Sequence, residues 1–160
     1  MFFKKKIPVE DYCTSSLSAL LAKEREATWE HLRVACNDIQ FTSVEAQLYY
    51  THLKVVFIQL MLIAIAKNCN MDVSFAAHVF VMNYLKNHGL SEISENSKGY
   101  SEAFASSYTD GVRQMVVHFA SQLSTAPMKE ETLERLYVEF YAILKAFFDD
   151  FKSMKLTASR

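Results

Sequence analysis

Twelve consecutive residues from Val55 to Ala66, VVFIQLMLIAIA, carry a single polar side chain, Gln59. The run lies inside a longer helical pattern, and an amphipathic surface helix would show a polar stripe at every turn. This one loses its stripe halfway along. A bilayer span needs about 20 apolar residues, and Lys54 and Lys67 close the run at both ends. The segment reads as the central helix of a soluble bundle, wrapped on most sides by the rest of the chain.

What wraps it must also be helical. The chain has 160 residues, the size of one ordinary domain, and only 3 Gly and 2 Pro to make tight turns. The first helix is expected from Pro8 to about Cys36, weakened where Thr14, Ser15, Ser16 and Ser18 cluster. The second runs from a Thr42–Glu45 capping box to Asn68. The third starts at an Asp72 N-cap and stops at Gly89. SEISENSKG, residues 91–99, is poor in apolar residues and reads as a surface connection. A fourth helix covers 100–124, with Asp110–Gly111 as the point where it would divide. Ser124, Thr125 and Pro127 cap a fifth. The expected fold is a single all-α domain, 1–160, a helical bundle of five helices, six if the fourth divides, with residues 1–7 as a frayed basic and aromatic arm.

The balance of 17 basic and 18 acidic residues lacks the basic excess of a nucleic-acid binder, so no nucleic-acid partner is expected. No transmembrane segment is expected either. Lys4, Lys5 and Lys6 follow Phe2 and Phe3 and could make only weak contact with an acidic membrane surface, at roughly 1 kcal/mol per lysine. No apolar segment of a secretory signal follows them. Cys13, Cys36 and Cys69 form no C-x-x-C pair and read as reduced thiols of a cytoplasmic protein.

Phosphate-loop, dinucleotide, zinc-protease and serine-hydrolase motifs are all missing, so no catalytic residue is assigned and no cofactor is expected. One constellation survives. Glu24 and His31 stand seven residues apart, as do Glu45 and His52, so each pair shares a helix face with apolar neighbours. Polar groups in an apolar stripe need partners. If the first two helices pack antiparallel, Glu24 approaches His52 and Glu45 approaches His31. Hydrogen bonds between helices are one outcome, and a metal site is the other. The chain has no Glu-x-x-His, the motif of helical di-iron sites. His78 and His118, each flanked by apolar residues, are the minimum for a haem pocket and no more.

The last helix carries an unusually aromatic face, including Tyr137, Phe140, Tyr141, Phe147, Phe148 and Phe151. Such a face can serve the core and a subunit interface together. With 51% hydrophobic residues and no catalytic motif, the chain is expected to act through protein–protein contacts, as a homo-oligomer or with a protein partner. The surfaces expected to carry them are this aromatic face and the exposed part of the second helix. The alternative is a small-ligand or metal-binding bundle, an enzyme in one version, using Glu24, His31, Glu45 and His52.

Overall fold

A computed structural model describes residues 3–35, 43–123 and 127–159. Among them run, in order, β1 (Lys5–Pro8), α1 (Val9–Leu20), α2 (Lys23–Ala35), α3 (Ser43–Asn68), α4 (Met71–Asn87), α5 (Ser91–Ala105), α6 (Gly111–Leu123), α7 (Glu130–Ser153) and β2 (Met154–Thr157). The all-α class holds. As the Val55–Ala66 run demands, α3 is the hub, packed against α4, α5, α6 and α7 and touching α1. Leu53, Val55, Val56, Ile58, Leu60, Met61, Ala64 and Ile65 are all sealed from solvent. The apolar stretch is longer than twelve residues: Ala46–Asn68 has the length and composition of a membrane span, and the neighbouring helices bury most of it. A helix that is apolar all round gains its stability from burial on every side.

The helix ends follow local chemistry. Asn70, rather than Asp72, caps α4, its Oδ1 accepting from the Val73 N–H at 2.9 Å, while Asp72 sits in the first turn. Gly89 ends that helix at φ +69°, and the Leu90 N–H reaches back to the Leu85 carbonyl at 2.8 Å, a Schellman closure. Asp110 starts α6 by accepting from the Arg113 N–H at 3.2 Å. Thr42 and the Glu45 side chain, the expected capping box of α3, lie outside the described residues.

Three elements differ from the sequence reading. The first helix divides at Leu21–Ala22 rather than near the serines. Its halves have different partners: α1 buries Val9, Cys13, Leu17 and Leu20 toward α4, while Trp29 of α2 packs on Tyr50 and Phe57 of α3. SEISENSKG is the first half of α5. Ile93, Ser97 and Tyr100 recur at helical spacing on its buried face, which one apolar residue in nine had concealed. Gly99 allows close packing there, since a Cβ would lie 2.6 Å from His118 Nε2.

The third difference is at the termini. Lys5–Pro8, of which residues 5–7 were expected in a frayed arm and Pro8 at the start of the first helix, pairs in parallel with Met154–Thr157, Ile7 opposite Leu156. Lys4 Nζ donates to the Phe151 carbonyl at 2.5 Å, and the Tyr12 hydroxyl donates to Asp150 at 2.7 Å. Parallel strands need a crossover between them, and here the whole bundle is that crossover.

Candidate functional site

Of the Glu–His constellation, the structure describes the two histidine side chains. The side chains of Glu24 and Glu45 lie outside the described residues. His31 is exposed, on a cavity of about 300 Å³ between α2, α3 and α7 that also holds Arg25, Arg135 and Glu139. Two guanidiniums beside one carboxylate repel a cation. His52 is buried at 2% exposure, its Nδ1 2.8 Å from the Tyr100 hydroxyl of α5. Burial, reinforced by neighbouring His118, holds the His52 imidazole below its ordinary pKa, and burial alone does the same to His118. His118 lies edge-on to the Tyr100 ring at 4.6 Å. Among the described residues no three His, Cys, Asp or Glu side chains gather as a metal site would require. His52 is a core residue that links α3 to α5.

The expected aromatic interface is largely spent on the core. Phe140 and Phe151 are buried, and Phe147 and Phe148 are half-buried against the same core. Tyr137 lies under the Arg113 guanidinium at 4.4 Å, which leaves Tyr141, 53% exposed, as the open member of the set. The other expected surface is equally reduced. Of the described side chains of α3, only Gln47 and the last turn, Ala66, Lys67 and Asn68, are exposed. Of the thiols, Cys13 is buried and pushed up to about 12 by that burial, Cys69 is half-buried, and both are unpaired; Cys36 lies outside the described residues.

Two further features lie on α4, where His78 is exposed. Met71, Phe75 and Val79 follow each other at i, i+4 and i+8 and are 87%, 71% and 39% exposed. Four residues are close to one turn, so the three form one apolar stripe facing outward. On the adjoining side of the helix, Ser74, His78 and Met82 repeat the same spacing and form one wall of a groove of about 520 Å³.

The groove is built from three stripes at helical spacing. From α5 come Ser94, Ser97, Lys98 and Ser101, at i, i+3, i+4 and i+7. The α3 floor presents Leu62, Ile63 and Ala66, with Gln59 at its end. Ser74 and Ser97 donate to carbonyls one turn back, and Ser94 donates to the Met82 sulfur at 3.2 Å, which fixes all three hydroxyls. Gln59 is 6% exposed, and its amide makes no hydrogen bond to a described residue but keeps contact with solvent through the groove. Lys98 makes only an exposed pair with Glu102, 3.6 Å away. The sequence did carry a signal for this wall, three serines at helical spacing in SEISENSKGYS, but it has meaning only once that segment is helical.

Comparison with known proteins finds no family that matches this chain, no curated protein similar to it in sequence and no solved structure similar to it in fold.

Proposed function

We propose that this chain acts through protein–protein contacts, and that α4 carries the first of them, a weak homodimer. The Met71–Phe75–Val79 stripe supports this reading most directly, because large apolar side chains at that exposure lose free energy to water that a partner would restore. The occupant that fits is a second copy in antiparallel orientation. Asp72 and Lys86 stand seven residues to either side of Val79, and Phe75 and Asn83 four to either side, all of them exposed. A two-fold axis at Val79 therefore sets Asp72 of each copy against Lys86 of the other and packs each Phe75 beside the opposing Asn83. Such a patch is self-complementary in charge, as an isologous interface requires, and brings the two Val79 side chains together on the axis.

A single pair of crossed helices buries less than the roughly 1,200 Å² of a standard interface. Dimerisation is then concentration-dependent, with a Kd on the order of 100 μM. Sedimentation velocity from 5 μM to 1 mM tests it. A reversible monomer–dimer equilibrium is expected, abolished by Phe75→Asp, weakened by Asp72→Lys and restored by adding Lys86→Asp. A strict monomer at 1 mM, or a dimer indifferent to all three changes, would sink the reading.

A further inference from the structure

We infer that the groove between α3, α4 and α5 binds a small organic anion with an apolar body, seated on Leu62 and Ile63, with Gln59 at its floor and Lys98 at its rim. Gln59 is a residue that the other described residues leave without a hydrogen-bond partner. A side-chain amide offers two donors and an acceptor, and burying it without partners is unfavourable. In a run of apolar residues, leucine would fill the same volume at no such loss. The amide instead opens onto a groove of about 520 Å³, through which solvent reaches it, and it makes no hydrogen bond to a described residue. Its partner comes from outside the chain.

The walls set the chemistry of that partner. Leu62, Ile63 and Met82 offer an apolar bed, and a volume of this size lies within the ~300–1,000 Å³ of small-molecule sites. Among the described residues, Lys98 and His78 are the ionisable groups lining the groove, and no carboxylate does so. Glu102, which pairs with Lys98, is itself 66% exposed, and an exposed pair of this kind gives up its cation readily to a better-placed anion. A carboxylate or phosphate head at the rim with a short hydrocarbon body over α3 satisfies every group named. A cation of the same shape would meet Lys98 directly.

Calorimetric titration of the intact chain with octanoate, octyl phosphate and octylamine at fixed ionic strength decides the matter. One saturable site for octanoate or octyl phosphate is expected, and whichever binds more tightly identifies the head group. Octylamine should bind at least tenfold more weakly. Gln59→Leu should lower anion affinity at least tenfold. Lys98→Glu, a change at a side chain 82% exposed, should abolish anion binding and admit octylamine. Phe75→Asp, which breaks the proposed dimer, should leave octanoate affinity unchanged, so the two proposals fail separately. The inference is overturned if no anion saturates by 10 mM, if octylamine binds as tightly as octanoate, or if both Gln59→Leu and Lys98→Glu bind like the parent protein; a groove filled by ordered water alone gives the first of these results.

Discussion

Replacing His52 and Tyr100 by Phe, singly and together, measures what the buried polar contact contributes. His52 is 2% exposed, Tyr100 is fully buried, and their polar atoms lie 2.8 Å apart. Phe keeps the ring volume of either residue, so cavity formation is a small part of the effect. His52→Phe strands the Tyr100 hydroxyl, and Tyr100→Phe strands the imidazole nitrogen, each at about 1–3 kcal/mol for a buried group left unpaired. The double variant strands neither. Its total cost should fall below the sum of the two by about 1–2 kcal/mol, the coupling expected of groups in direct contact. Urea unfolding at pH 7.5, with m-values checked for constancy, gives the three free energies. Additivity within about 0.4 kcal/mol would refute the contact and return His52 to the list of candidate ligands.

The same histidines set an acid limit. Burial holds both below their ordinary value of 6.5, so the unfolded chain takes up protons first as the pH drops. Stability is then complete above pH 6.5 and declines below it, where the unfolded state binds more protons. Unfolding free energies between pH 7.5 and 5 should show this decline, and His52→Phe should flatten it; a stability that rises toward pH 5 would reverse the sign of the argument. Gln59→Leu should stabilise the protein by no more than about 1 kcal/mol, since an amide that solvent reaches only through the groove is exchanged for a hydrocarbon. For a chain of this length that raises Tm by at most roughly 2–4 °C in calorimetry, and a clear fall in Tm would mean that the amide is bonded internally. Deleting residues 1–7 removes most of β1 with several ladder bonds and the Lys4–Phe151 contact. A loss on the order of 2 kcal/mol in urea unfolding is expected at about 1 kcal/mol per hydrogen bond, whereas a frayed arm would leave stability unchanged.

Periodicity reveals which face of a helix is apolar, not which neighbour will cover it. That is why α3 was legible: apolar on all sides, it had to be surrounded whatever surrounded it. Gly89 was legible for a local reason, since a left-handed residue ends a helix without reference to the rest of the fold. The α7 face was seen correctly as too wide for one seam, but α3 and α6 cover it together, and Phe140 meets Phe119 of α6 edge-on at 5.4 Å. The Lys5–Pro8 strand was invisible because its pairing partner lies about 150 residues away and four residues with Ile7 alone half-buried carry no alternation to speak of. The groove combined both difficulties. Gln59 stood out as the interruption in the apolar run, but its neighbours Ser97 and Lys98 belong to a helix that polar composition had hidden.

The terminal ribbon has a mechanical consequence. Because β1 and β2 run parallel, the chain enters the pair at Lys5 and leaves it at Thr157, at opposite ends of the ribbon. Tension applied through the two flanks therefore pulls the strands past one another along their length. In that geometry the ladder bonds share the load and must fail together, whereas an antiparallel pair held at one end would open bond by bond. Four residues on each side make a short clasp, about 10–13 Å long. It stands in series ahead of the helices, so a pull on the ends reaches the bundle only after the clasp has slipped.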